Sequence, residues 1–151
     1  MEKLIEAVDE VIKWGIYPHL KIEDKERLLE ESLVQLYSIY FEINYEFDET
    51  EFPDFDRSIL PDIQKNIASN FPDYGLYHSI INHHKIDAKP EYAVGDAIDD
   101  LADIIIDLLE VKWSFQNNSE RDASWHFELS FQSHMQWHLL SLLTYIKSRN
   151  R

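Results

Sequence analysis

The chain has 151 residues, 44% hydrophobic and 13% aromatic, with a formal net charge of -15 at pH 7. That is the size of one ordinary domain, with enough apolar side chains for a real core. The acidic excess argues against duplex DNA, RNA and anionic membrane surfaces as partners, because each needs Lys and Arg set against phosphate. It is compatible with a basic protein partner or a divalent cation, and at the least it favours solubility.

There is no cysteine, so disulfides and thiolate metal sites are excluded. Only 3 Gly and 5 Pro argue against a multi-stranded β protein, which needs turn residues at short spacing. The first segment, MEKLIEAVDEVIKWG, carries acid through its apolar pattern and does not read as a signal peptide. No stretch has the length of a transmembrane helix. The expectation is one soluble, cytoplasmic, helical domain over 1–151.

Residues 2–14 predict an amphipathic helix: Leu4, Ile5, Val8, Val11 and Ile12 recur at helical spacing, with Gly15 and Pro18 as its stop. A second helix is expected over 24–41, capped by Asp24, with Leu28, Leu29, Leu33, Leu36, Tyr37 and Tyr40 as its buried stripe. Residues 44–56 read as an acidic surface loop that tucks Tyr45, Phe47, Phe52 or Phe55 against the helices. A third helix is expected over 56–69, with Pro61 in its first turns and Phe71-Pro72 beyond its end. Leu76, Tyr77, Ile80 and Ile81 fit a short strand or an irregular connector, with His83 and His84 exposed beyond them.

Asp96 follows Gly95 as the N-cap of a long fourth helix. On that helix Val94, Ala97, Ile98, Leu101, Ile105 and Leu108 fall on one side; Asp96, Asp99, Asp103, Asp107 and Glu110 fall on the other, as a solvated face would. Asp100 lies on the flank. A fifth helix is expected over 120–147. Phe127, Phe131, Leu142 and Tyr145 mark its core side, with Ser130 and Ser141 on its polar edge. His138 falls in the middle of the core side and His134 on its shoulder, one turn apart.

Folding the two helices at Asn117-Asn118-Ser119 brings His138 level with Ile98 and His134 level with Ala102. Asp99, Asp100 and Asp103 bracket those levels. Three readings follow. Asp100 or Asp103 accepts a hydrogen bond from a histidine and locks the hairpin. Asp100, Asp103, His134 and His138 hold a metal ion, as paired helices do in bundle metalloproteins. Or a His–carboxylate pair performs acid/base chemistry. No activated nucleophile and no Gly-rich phosphate loop is present. Trp113 and Trp125 lie near the hairpin turn, at nearly facing levels, as core rings.

The run AIDDLADIIIDL followed by DASWHFELSFQSHMQWHLLSLL resembles the bacterial domain-of-unknown-function family DUF5063. The resemblance covers about the last half of the chain. It rests on Asp99, Asp100, Leu101, Asp103, Ile104, Asp107 and Leu108, then Trp125, Ser130, Phe131, His134 and His138. Ile105 stands where that family usually has Tyr, Met135-Gln136 where it has Trp-Gly, and Phe127-Glu128 where it has Trp-Arg. The resemblance implies a small helical bacterial protein with an Asp/His hairpin, and no assigned activity. Asp96-x-x-Asp99 and Asp100-x-x-Asp103 also resemble one half of the acidic magnesium motif of all-α nucleotide pyrophosphohydrolases.

The sequence therefore predicts an all-α fold: an irregular bundle of about five helices, a long carboxyl-terminal antiparallel helical hairpin and a short β segment near 76–82. Its leading functional expectation is an acidic, non-enzymatic interaction protein that binds a basic protein partner and needs no cofactor. The alternative is a metal-binding protein or metal-dependent hydrolase built on Asp100, Asp103, His134 and His138. Asp99, Asp107, Trp125, Ser130 and Phe131 are structural or ligand candidates around that site.

Overall fold

The computed structural model describes residues 1–150. Helix α1 spans Glu2–Ile16 and α2 spans Lys25–Glu42. After a long loop and a 3₁₀ turn, Arg57–Ile59, comes the short α3, Ile63–Asn70. Strands β1, Leu76–Ile80, and β2, Tyr92–Asp96, form an antiparallel pair with Tyr77 opposite Gly95. Helix α4 runs Ala97–Asn117 and turns through Asn118 and Ser119 into α5, Glu120–Ser130. A π-helical turn, Phe131–Met135, links α5 to α6, Gln136–Arg149. The helical bundle with a small β excursion is the expected architecture.

Helix α4 is the axis of the bundle, in contact with α1 and α3 as well as α5, α6 and β2. That arrangement corrects the two-sided reading of this helix. Ile105 faces α1 and α3, where it meets Gly15, while Asp100 and Asp107 face the carboxyl-terminal rod. A second buried row, Asp100, Ile104, Asp107, Val111 and Ser114, runs where a solvated flank was expected. Asp107 is buried, and Asp99 remains exposed. Val94 lies on β2 and is 67% exposed, so it is not part of the α4 core face.

Gly15 does not stop α1; it lies inside it. A Cβ there would sit 2.8 Å from Ile63 and 3.0 Å from Ile105, so the glycine permits close approach of α1 to both α3 and α4. Helix α3 starts later than expected. Asp56 caps only the 3₁₀ turn, Leu60 is extended before Pro61, and Asp62 is the N-cap, accepting from the Lys65 amide. The restriction on the residue before proline splits the expected helix.

The expected fifth helix is continuous in path but not in pitch. Buried Phe127, Phe131, Met135 and Leu139 recur every fourth residue. In a straight α-helix such a stripe drifts about 40° around the axis at each step. The π turn, whose Gln136 amide bonds to the Phe131 carbonyl, holds an extra residue per turn and returns the stripe to the core. The 44–56 loop closes the far end of the hairpin: Phe47 packs on Trp125, Phe55 on Trp113 and Tyr45 on Tyr40. Trp125 is thus a packing residue, as is buried Phe131, which stacks on Tyr40. Among the described residues no helix is long and apolar enough to cross a membrane.

Candidate metal centre

The site is built where α4 passes the π turn and the start of α6. The π turn carries His134, and α6 carries His138. Each lies one position before a buried residue of the core stripe, Met135 and Leu139, so both rings lean toward α4 from its edge. His138 is half-buried and His134 more open, so neither occupies the fully buried core position expected for His138.

Each histidine is held by its own carboxylate. His134 Nδ1 lies 2.7 Å from Asp107 Oδ2, and His138 Nδ1 lies 2.8 Å from Asp100 Oδ1. A carboxylate can only accept, so both Nδ1 atoms carry the hydrogen. The neutral rings are then Nδ1–H tautomers with their Nε2 lone pairs free. Those two Nε2 atoms face each other at 3.2 Å. Asp103 Oδ2 lies 3.3 Å from His138 Nε2. One donor atom each from Asp103, His134 and His138 lies within 4.8 Å of the others.

Two converging lone pairs beside a carboxylate favour a positive charge between them, whether a shared proton or a metal ion. The protein's own charges favour the cationic form of His138: the bond to Asp100 raises its pKa, burial opposes this, and the charges of Asp103, Asp100 and Asp99 raise it further. Asp103 is also raised, chiefly by burial, with His138 acting against the shift. The 3.2 Å between the two Nε2 atoms and the 3.3 Å from His138 Nε2 to Asp103 fit metal coordination. Donors about 2.0–2.1 Å from a tetrahedral zinc lie about 3.3 Å apart. A two-histidine, one-carboxylate set leaves room for water or substrate on the ion.

The surrounding shell is equally specific. Asp100 is buried and also accepts a hydrogen bond from the Tyr77 hydroxyl. Asp107 Oδ1 accepts from Arg57, at 3.1 Å, and the same guanidinium nitrogen donates to Glu110 at 2.5 Å. Histidines that bind metals usually donate their second N–H to a carboxylate, which fixes tautomer and orientation. Both rings here have that arrangement. Beside it, a groove of about 290 Å³ lined by Leu60, Pro61, Gln64, Ala102 and Ile106 shares Asp103 with the cluster.

Three of the four expected ligands therefore converge, and the fourth does not. Asp100 stands behind His138, on the Nδ1 side, because its position on α4 turns it into the interface with α6. Asp107, expected in water, takes the matching place behind His134. Asp99 is exposed and accepts from Gln64 at 3.0 Å, and half-buried Ser130 ends α5 just before the π turn. The two acidic pairs that resemble a magnesium motif do not converge, since Asp96 caps α4 at the Ile98 amide. Tyr77 and Arg57 escape sequence reasoning altogether. Only the seven-residue spacing of Asp100 and Asp107, against the four-residue spacing of the histidines, hinted at two matched pairs. No protein-family model, no curated protein and no solved structure matches the chain.

Proposed function

We propose that the protein binds one divalent transition-metal ion through His134 Nε2, His138 Nε2 and the Asp103 carboxylate. The observation that carries this reading is the pair of inward Nε2 atoms, 3.2 Å apart, with both Nδ1 atoms committed to carboxylates. An ion with only three protein ligands keeps a position for water, whose pKa it lowers toward neutrality. That chemistry, next to the groove at Asp103, supports a metal-dependent hydrolase. The resemblance to DUF5063 runs through these same Asp and His positions, and kinship with that family is part of the proposal.

Zinc or cobalt(II), titrated into chelator-treated full-length protein by calorimetry, tests the reading. Stoichiometric binding is expected, with a rise in Tm that EDTA reverses. No heat and an unchanged Tm with zinc, cobalt, manganese and iron(II) would overturn it.

A second reading keeps the acidic surface as the functional element. Glu49, Glu51, Asp54 and Asp56 are exposed on the loop that also presents Phe47, 60% exposed. This combination supports docking of a basic protein segment. Binding of such a partner should weaken steeply between low and physiological salt, because exposed charges are screened. Capture that is indifferent to salt would remove this reading.

A further inference from the structure

Strand β1 alternates, with Leu76, His78 and Ile80 exposed and Tyr77 and Ser79 turned inward. Tyr77 does not enter the apolar core. Its ring lies across Gly95 of the paired strand, where a Cβ would overlap the ring atoms themselves. Its far side meets Tyr145 of α6, ring centroids 5.4 Å apart. Thus confined, the hydroxyl reaches Asp100 and donates to Oδ2, the oxygen that His138 leaves free. Burial and the neighbouring Asp100 charge raise the Tyr77 pKa, so the phenol stays protonated and remains a donor.

We propose that Tyr77 is a positioning residue of the metal centre: the β hairpin delivers it across Gly95 to fix Asp100, and Asp100 fixes His138 with Nε2 toward the ion. This inference rests on the metal-binding reading. It gives the small two-stranded hairpin a role, since such a pair has little stability of its own. It also explains why a glycine, and not a strand-favouring side chain, precedes the cap of α4. Without the phenol, the Asp100 carboxylate loses one of its two anchors, and the ring it holds is less firmly oriented. Removing outer partners of this kind typically costs about 10–100-fold in metal affinity. Tyr77 acts one bond further out, so the low end, about 10-fold, is expected.

The experiment is a zinc and cobalt(II) titration against a competing chelator, with full-length wild type, Tyr77→Phe, and Tyr45→Phe as a control whose hydroxyl serves only the Tyr40 carbonyl. Tyr77→Phe should bind about 10-fold more weakly and show a changed cobalt(II) visible spectrum, while Tyr45→Phe matches wild type. Gly95→Ala, which pushes the ring aside with the hydroxyl intact, should reproduce both effects. In an Asp100→Asn background Tyr77→Phe should add no further loss, because both act through one contact. A purely structural tyrosine would lower Tm and leave affinity and spectrum unchanged. Wild-type protein that binds while Tyr77→Phe and Gly95→Ala bind equally well overturns the inference alone. Wild-type protein that binds no metal overturns the metal reading and this inference with it.

Discussion

Two histidine environments on the same carboxyl-terminal rod differ in one respect that matters. Near the hairpin turn, His126 has Glu110 3.4 Å from Nδ1 and Asp122 3.6 Å from Nε2, so each nitrogen faces an acidic partner. Two turns on, His134 and His138 each give Nδ1 to a carboxylate and aim Nε2 at each other, with Asp103 3.3 Å from His138 Nε2. The first environment is closed by the protein. The second is open to a cation the chain does not supply. A count of acidic residues near each ring would not separate the two; the convergence of two Nε2 atoms and the Asp103 carboxylate on one point does.

The comparison breaks most sharply at the ligands. His138→Ala should weaken zinc binding by more than about 100-fold, beyond the range of outer-shell changes. His126→Ala should leave it unchanged. Calorimetry on both variants measures this, and equal losses would erase the distinction. The same His138→Ala variant removes one of the two hydrogen-bond donors of buried Asp100 and should lose about 1–3 kcal/mol of stability in the metal-free state. A variant as stable as wild type in urea would mean that Asp100 is not dependent on that ring.

Metal itself sharpens the difference. At a free zinc concentration 100 times Kd, the folded state gains about 2.7 kcal/mol, which is about 5–10 °C in Tm for a chain of this size. Asp107→Asn and Asp100→Asn should each reduce affinity by about 10–100-fold, and Asp122→Asn, beside His126, should not.

The pH dependence changes sign with occupancy. In the metal-free protein the pKa values of His138 and Asp103 are both raised. Groups raised on folding contribute stability below their unfolded values and lose it as pH rises through the folded ones. For His138 that loss begins above about pH 6.5. Metal competes with protons for Nε2, so affinity should instead grow over the same range. Urea melts with and without zinc at pH 6 and pH 8 check the crossing. The smallest effect belongs to the closed end. Phe47→Ala removes the ring that packs on Trp125, with centroids 5.0 Å apart, and should cost about 1 kcal/mol with no change in metal affinity.

Much of this molecule is legible from local pattern. The apolar spacing of residues 2–14 and 24–41, the Asp96 cap and the Asn-Ser turn at 118–119 act within a few residues, so the sequence by itself determined α1, α2, the start of α4 and the antiparallel hairpin. The four-residue step between His134 and His138 also places two imidazoles on one edge without any tertiary information. Which carboxylate each ring meets is another matter. Helicity puts Asp107 opposite Ile105 whatever surrounds them. Only the central position of α4, covered on both sides, decides that both are buried. The π turn follows from a core that demands a four-residue repeat, and no local propensity specifies it. Tyr77 comes from a segment that reads as a short strand or a connector and Arg57 from the expected start of a third helix, and chain topology delivers them to Asp100 and Asp107. The chain therefore encodes the histidine pair locally and its orientation globally, because a rotamer is fixed by helical spacing only to within a face, while a tautomer needs a partner brought from elsewhere in the fold.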